Sequence, residues 1–188
     1  ESDFRFFIPV GLQMANNVIM RPFAIHSGIP EDHLSDDNDD AFIMMLDRNG
    51  EWRVATLLRN FTKTLGGLAS SFTNTGDIAL IGKRKEDMQL AFKRMKEIGG
   101  GIVLANKGEI LYELPLKMMG MLSDKDMSDL IKEQKELSAI IKEHGYPYDD
   151  PIYTLLFLSA LHLPYIRITP KGIIDVKKKE VLFPAIMR

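Results

Sequence analysis

The chain has 188 residues, of which 45% are apolar and 27% are charged, and its formal net charge is −2. This length is enough for one well-filled core, so we expect a single domain over residues 1–188. A net charge this small excludes the basic field that attracts nucleic acid or anionic membranes. The absence of cysteine excludes disulfides and thiolate metal sites, and it favours a reducing, cytoplasmic setting.

The first third of the chain is rich in strand-forming residues. The pattern predicts four strands: 4–10, 18–25, 41–47 and 52–58. Asn49 and Gly50 form a turn signal that joins the last two as a hairpin. The acidic stretch 27–40 predicts a solvated loop. Because the chain starts without an initiator methionine or a secretory signal, we expect residues 1–26 to act as a strand region linking it to a preceding domain.

In the middle of the chain the apolar period changes from that of strands to that of a helix. Strands are predicted over 65–72 and 77–81, and a hairpin over 102–114. Between them, one helical face carries five apolar residues and ends at three glycines. The face consists of Met88, Ala91, Phe92, Met95 and Ile98.

Two further helices are predicted in the last third of the chain. Ser123 is the expected N-cap of the first, which ends near Gly145. The second begins after Asp150, is apolar on nearly all sides, and stops at Pro164; it is too short to span a bilayer. Short strands follow over 165–168 and 181–183. Strands mixed with three helices predict an α+β fold, a layered sandwich of mixed β-sheets.

The histidines give no local metal motif. His26, His33, His144 and His162 form neither H-x-H nor H-E-x-x-H, so we predict no metal site and no confident catalytic residue in this chain. His144 fits a structural role in the last turn of its helix, where a cation suits the macrodipole. His162 is expected to be a buried imidazole. It either fills the core with its hydrogen bonds satisfied or faces a cleft, where it has a functional role.

Three other patterns have a functional and an ordinary interpretation. Asp36, Asn38, Asp40 and Asp47 stand at calcium-loop spacing, but the glycine that such a loop needs is missing, so a charged surface loop is favoured. The glycines at 66–67 and 99–101 match no phosphate-binding pattern and favour strand entry and helix capping. The basic run 83–85 precedes a helix start and could hold an anion, although a solvated turn is favoured.

A polar turn connects the strands predicted over 65–72 and 77–81. Several of its short side chains could present hydrogen-bonding groups to a substrate cleft, or they could satisfy the turn's own backbone. Both readings stay open from composition alone. The candidate residues are Ser70, Ser71, Thr73, Asn74 and Asp77.

Ordered blocks across most of the chain resemble the carboxy-terminal domain of the adenine deaminase family. No single block is specific, but their order and spacing together are a strong signal. The blocks are Leu68-Ala69-Ser70-Ser71-Phe72, Lys85-Glu86-Asp87-Met88, Ile98-Gly99-Gly100-Gly101-Ile102-Val103, Glu113-Leu114-Pro115-Leu116, Gly120-Met121-Leu122-Ser123-Asp124, Asp149-Asp150-Pro151-Ile152-Tyr153 and Ile168-Thr169-Pro170-Lys171-Gly172.

The resemblance implies an amidohydrolase in which an amino-terminal barrel domain holds a pair of divalent metals, manganese or iron. In that family the enzyme hydrolyses adenine to hypoxanthine and ammonia. This chain would then be the barrel's partner, with no cofactor of its own, and would cover the mouth of a cleft for a small purine-like substrate. The expected contributors are the candidate residues of the polar turn, with Ser123, Asp124 and His162.

One departure from the family bears on the substrate. Well-studied adenine deaminases carry His-Asp-Ser-His-Asn where this chain has the stretch 73–77, which has neither histidine. The substrate could therefore be another purine or heterocycle. Alternatively, the domain is a structural module that supports homo-oligomerisation through the apolar helix over 152–161 or the methionine-rich loop over 118–121.

Overall fold

The computed structural model describes residues 10–26 and 32–188. Most of the strand predicted over 4–10 lies outside these residues. The helices are α1 (Lys85–Glu97), α2 (Met127–Glu143) and α3 (Pro151–Phe157). The strands are β1 (Val10–Met14), β2 (Met20–Ala24), β3 (Asp40–Leu46), β4 (Trp52–Arg59), β5 (Gly67–Ser70), β6 (Ile78–Gly82), β7 (Gly101–Asn106), β8 (Glu109–Pro115), β9 (Ile166–Thr169), β10 (Gly172–Asp175), β11 (Glu180–Pro184) and β12 (Ile186–Met187).

The strands of the described residues form a nine-stranded sheet and a three-stranded sheet. The main sheet has the order β2-β1-β4-β3-β6-β5-β7-β8, and β12 pairs with β4. Only the β1–β4 contact among these pairs is parallel, with Leu12 opposite Leu58, so the main sheet is mixed. The smaller sheet has the order β11-β10-β9. Three helices and two sheets confirm the α+β sandwich.

The central strands of the main sheet, β3 to β7, are buried on both faces. Successive side chains of a strand point to opposite faces, and in β3 Ile43 and Met45 join one core while Phe42 and Met44 join the other. The first core also contains residues of α2, α3 and the smaller sheet; the second contains the inner face of α1. The fold therefore has three layers, with the main sheet in the middle, which explains why central strands such as β3 and β6 read as continuous apolar runs.

A glycine pair lets α1 approach the sheet closely. A Cβ atom on Gly67 would lie 2.3 Å from the backbone carbonyl carbon of Asp87 and from the backbone nitrogen of Met88. A Cβ on Gly66 would lie 2.0 Å from the Asp87 carboxylate. Gly67 does begin β5, as predicted, but the helix sets the requirement for glycine.

The helix starts correct one expectation and confirm another. The predicted N-cap of α2, Ser123, is wrong: the helix begins at Met127 and Asp126 is the N-cap, while Ser123 Oγ accepts a bond from Lys125 N at 3.1 Å. The start of α3 is confirmed, because the Asp150 side chain caps Tyr153 N.

Helix α3 ends at Phe157, well before Pro164. One reason is that the guanidinium of buried Arg167 donates to the carbonyl of Ala160 at 3.2 Å, which holds the chain after α3 in a turn. Leu161 is exposed as a result, so the expectation of an apolar helix buried on most sides is wrong at this end. Within the described ranges, no helix is long and apolar enough to cross a bilayer.

Candidate functional site

The polar turn lies at one end of the main sheet. Here β3 turns into β4, β5 turns into β6, β7 begins and β8 ends. We call this the cleft end, defined as residues 47–51, 71–77, 98–100 and 116–122. Four segments that are separated in sequence meet here, because the antiparallel pairing of the strands brings their turns to the same end of the sheet.

A cleft of about 560 Å³ opens at the cleft end on the α1 side of the sheet. This volume is within the range typical of small-molecule sites, roughly 300–1,000 Å³. Apolar side chains of β3, β6 and α1 form the walls, and glycine backbone and Ser71 contribute to the lining. Charged side chains from three segments complete it. The lining is Leu46, Asp47, Arg48, Asn49, Gly50, Ser71, Ile78, Phe92, Met95, Lys96, Gly99, Gly100, Lys117, Met119 and Gly120.

Ser71 holds the cleft end together. Its buried hydroxyl donates to the carbonyl of Gly120 at 2.6 Å and accepts from Gly101 N at 2.8 Å. A Cβ on Gly120 would come within 2.9 Å of this oxygen, so the site requires glycine opposite the serine. Both hydrogen-bonding roles of Ser71 are used by the protein itself. We therefore assign Ser71 a structural role at the cleft.

The hydroxyls of Ser70 and Thr73 are also turned inward. Ser70 Oγ accepts from Phe72 N at 3.1 Å, and Thr73 Oγ1 donates to the carbonyl of Asp77 at 2.8 Å. Both residues are buried. For these two candidates the structure supports the ordinary interpretation, in which the turn satisfies its own backbone.

The tip of the polar turn is exposed and leans toward α3. Asn74 N donates to the carbonyl of Leu156 at 2.9 Å, and the side-chain oxygen of Asn74 accepts from Ser159 Oγ at 2.6 Å. The Thr75 hydroxyl lies 3.0 Å from the same serine oxygen. Both tip residues are exposed, so they offer polar groups to a partner from a fixed frame. The tip and the cleft open on different sides of the main sheet.

Asp77 is a buried carboxyl beside the cleft. Its pKa is raised from the ordinary value of 3.8, chiefly by burial. The donated bond from Thr75 Oγ1 at 2.5 Å and the charge of Arg48 lower the pKa, and the charge of Asp47 raises it. The fold thus favours the protonated form of Asp77 more than water does.

The variant Asp77→Asn is expected to be at least as stable as the wild type at neutral pH. Since the folded pKa lies above the unfolded one, ionised Asp77 weakens the fold increasingly as the pH rises from 3.8 through the folded pKa. Asparagine keeps an acceptor for Thr75 and carries no charge. Urea unfolding near pH 7 and near pH 4 measures the effect, and the advantage of the variant should shrink at the lower pH. A variant with a clearly lower free energy of unfolding than the wild type near pH 7 contradicts this expectation.

Ser123 and Asp124 lie beside the cleft rather than in it. Lys117, which lines the cleft, forms an ion pair with Asp124 at 3.0 Å. This hydrogen bond lowers the pKa of Asp124. The pair is exposed, as is expected of a rim contact. The structure therefore brings Ser71, Asp77 and the segment 123–124 to one end of the sheet.

His162 does not have the environment expected from the sequence. It is exposed, it lies beyond the end of α3, and its ring meets the edge of Phe157 at a centroid distance of 5.6 Å. The expectation of a buried imidazole is wrong, because α3 stops before reaching it. Among the described residues, neither the hydrogen bonds of the polar turn nor the lining of the cleft includes His162.

His144 is the C-cap of α2 and connects this helix to the segment after β4. Its Nδ1 lies 2.8 Å from Thr64 Oγ1, and its carbonyl accepts from Thr62 Oγ1 at 2.7 Å. Burial lowers its pKa, so the fold favours the neutral ring over the cation expected from the sequence. The structural role of His144 is retained, but it comes from hydrogen bonds and not from charge.

The metal pair that the family resemblance implies does not fit the described residues. Within residues 10–26 and 32–188, no three His, Asp or Glu side chains lie close enough to hold an ion. The calcium alternative fails on geometry, because Asp40 begins β3 whereas Asp47 follows its far end, roughly 20 Å away for seven extended residues.

Sequence reasoning did not select two contributors to this region. Ser159 contacts the side chains of Asn74 and Thr75, and its only signal was that it interrupts an apolar run. Arg48 lines the cleft beside Asp77, and its position after a strand gave no hint of this. Each depends on a pairing between distant segments.

Comparison with known proteins gives a consistent family. A family model described as the adenine deaminase C-terminal domain matches residues 17–180. "Putative adenine deaminase YerA" of Bacillus subtilis is 53% identical over 186 residues, covering 99% of this chain and 32% of that protein. "Putative adenine deaminase BH0637" of Halalkalibacterium halodurans is 47% identical over the same shares. "Adenine deaminase" of Shigella sonnei is 31% identical over 81% of this chain and 26% of that protein. The chain thus spans about a third of the length of its nearer relatives, 32%.

Proposed function

The chain belongs to the adenine deaminase C-terminal domain family, and from this premise we propose that it is the carboxy-terminal domain of a metal-dependent hydrolase that converts adenine to hypoxanthine and ammonia. The observation that carries the proposal is the family match over residues 17–180, which includes every element from β2 to β10. We place the parent enzyme in the cytoplasm, in keeping with a chain that has no cysteine.

We place the catalytic centre in an amino-terminal barrel domain, which holds the manganese or iron. Among the described residues, no three His, Asp or Glu side chains lie close enough to hold such a centre. The isolated domain should therefore be inactive, and its contribution would be to cover the substrate. A small base needs a wall that excludes water during hydrolysis, and rigid polar groups on that wall orient it.

The tip of the polar turn is the part of this domain best suited to such a wall. Asn74 and Thr75 are exposed, and their polar groups are held by Ser159 and by the backbone of α3. Ser70, Ser71 and Thr73 support the tip from within through buried hydrogen bonds. We propose that Asn74 contacts the substrate and that Asp77 positions the tip through Thr75.

The variant Asn74→Ala tests this role in a metal-loaded protein that has the full length of the relatives, with the proposed barrel domain included. Its kcat/KM for ammonia release is expected to fall about tenfold or more, because a polar contact to the base would be lost. The assembly measured by light scattering should not change. The matched control is Asn16→Ala. It also removes a turn asparagine whose side-chain oxygen accepts hydrogen bonds, here from Val18 N and Ile19 N, but it lies at the opposite end of the sheet.

Each outcome of this experiment has a defined meaning. If the Asn74→Ala protein loses turnover but keeps its assembly, and the control retains its activity, the proposal that the tip forms part of the substrate wall is supported. Unchanged turnover in the Asn74→Ala protein would show that the tip of the polar turn does not contact the substrate. The wild-type protein should also be assayed with other purines and related heterocycles. If it releases ammonia from one of these and not from adenine, the proposed substrate is wrong, but the proposed position of the domain over the active site still stands.

The second candidate function is an interaction module. Five apolar side chains are exposed on the turn after β8 and on the first turns of α2, which is the commonest sign of a contact surface. Met119, at the tip of this turn, is 81% exposed and has a positive φ of 57°. If the Asn74→Ala protein loses assembly and activity together, this function gains support. The residues are Met118, Met119, Leu122, Met127 and Ile131.

A further inference from the structure

The acidic loop before β3 is wrapped around a lysine ammonium. Lys83 follows β6, and its side chain is completely buried. The expectation of a solvated basic turn is therefore wrong at this position. The ammonium meets four oxygens of one short loop: the carbonyls of Ser35 at 2.9 Å, Asn38 at 2.8 Å and Asp40 at 2.6 Å, and the side-chain oxygen of Asn38 at 3.0 Å.

All four of these oxygens belong to uncharged groups. The carboxylates of the loop bind other cations instead: Asp40 pairs with Arg59, Asp36 with Arg84, and Asp39 with Lys63. Burial lowers the pKa of Lys83, and the charges of the same three aspartates oppose this effect. The acidic composition of the loop therefore helps to keep a buried ammonium charged, without direct contact between them.

We propose that residues 35–40 form a binding loop for an ammonium-type cation, and that its resident ligand is the side chain of Lys83. Three N–H donors shared among convergent carbonyl and amide oxygens suit a compact ammonium. The separations of 2.6–3.0 Å are those of charged hydrogen bonds, whereas calcium sits 2.3–2.6 Å from its oxygens and draws on carboxylates. The carboxylate spacing that suggested calcium plays no part in this contact, since the ammonium binds carbonyl and amide oxygens of the loop.

The occupied loop ties three parts of the fold together. Leu34 N donates to the carbonyl of Lys83 at 2.8 Å, and Lys85 N donates to that of Asp32 at 3.1 Å. Lys83 N itself donates to the carbonyl of Leu65, just before β5. Removing the ammonium should therefore loosen the loop and its attachment to the joint between β6 and α1.

Chemical rescue of Lys83→Ala tests the proposal in the 188-residue chain. The melting temperature is expected to fall by roughly 5–8 °C, because four oxygens of the loop lose their donor. Propylammonium chloride has the size of the missing side chain and should restore part of the loss. Tetrapropylammonium chloride at equal ionic strength and 1-propanol are the controls, since one is too large for the loop and the other has no charge. Rescue by propylammonium alone supports the proposal, while no rescue, or equal rescue by all three, overturns it.

A second measurement needs no variant and keeps the proposal testable if Lys83→Ala does not fold. Acetylation of the wild-type chain, followed by mass spectrometry, compares Lys83 with exposed Lys93. Lys83 should resist modification until the chain unfolds, and the amides of residues 35–40 should exchange slowly with solvent. Acetylation of Lys83 at the rate of Lys93 in the folded chain overturns the proposal.

Discussion

The variant Gly67→Ala is expected to lower the free energy of unfolding by roughly 3 kcal/mol, the upper range for overpacking of a core. The added methyl would lie 2.3–2.4 Å from backbone atoms of Asp87 and Met88. Backbone atoms in the first turns of a helix cannot rotate away as a flexible side chain can. Helix α1 would have to move off the sheet, opening the core around Met88 and Ala91. Urea unfolding measures the loss.

The matched control is Gly99→Ala. It makes the same chemical change where a Cβ meets nothing within 4 Å, although the backbone has a φ of 81°. Only the cost of a left-handed alanine remains, about 1 kcal/mol. A Gly67→Ala protein no weaker than this control would show that α1 shifts easily. Faster amide exchange in α1 of the Gly67 variant, but not in the control, would locate the strain at the helix.

The long elements could be predicted from the sequence because their local signals agree with their tertiary environment. The apolar face from Met88 to Met95 predicted α1, and its burial against the sheet confirms that face. The strand predicted over 41–47 matches β3, which has a long continuous apolar run. Such a run fits a strand covered on both faces, and this is what three layers provide.

Other elements were missed because they are too short for a local signal, or because a side chain from another segment sets where they end. Strand β10 has only four residues and pairs with β9 on one side and β11 on the other, so neither period nor length distinguishes it. Strand β12 has two residues and depends on the edge of β4. Helix α3 was predicted to run to Pro164, because no local pattern indicates that Arg167 binds the carbonyl of Ala160.

The polar turn was found from composition, but the roles of its residues could not be. Ser70 and Ser71 are identical neighbours in sequence. Their hydroxyls differ because Ser71 meets Gly101 and Gly120, which are 30 and 49 residues away, whereas Ser70 bonds only to Phe72. Likewise, Lys83 begins an ordinary basic run, and only the loop over 35–40 makes it a buried ligand.

The two ends of the main sheet differ in how their polar groups are used. At the end opposite the cleft, Lys83 is enclosed by loop oxygens, and the buried carboxylate of Asp87 accepts from Lys107 N and Gly108 N. At the cleft end, buried groups support others that are exposed, as Ser159 supports Asn74. Exposed groups on a rigid support are the usual arrangement of a binding surface. This contrast favours the cleft end for the proposed contact with a catalytic domain.

The variant Ser71→Ala should lower the free energy of unfolding by about 2–4 kcal/mol, because a buried N–H and a buried carbonyl each lose their partner. These are Gly101 N at 2.8 Å and the carbonyl of Gly120 at 2.6 Å. The turn carrying Met119 would lose its anchor to β5, so the cleft should widen. Urea unfolding measures the stability, and amide exchange over residues 116–122 measures the loosening.

Ser70→Ala is the matched control, because it removes the hydroxyl of the neighbouring buried serine. Its bond to Phe72 N is local, so the expected loss is at most about 1 kcal/mol. In a protein with the full length of the relatives, Ser71→Ala should also reduce turnover more than Ser70→Ala does. Of the two serines, only Ser71 joins the polar turn to the segments that line the cleft. Equal losses of stability in the two variants would mean that the bonds to Gly101 and Gly120 contribute no more than a local turn, and the cleft end would then lack the rigid support that its proposed role requires.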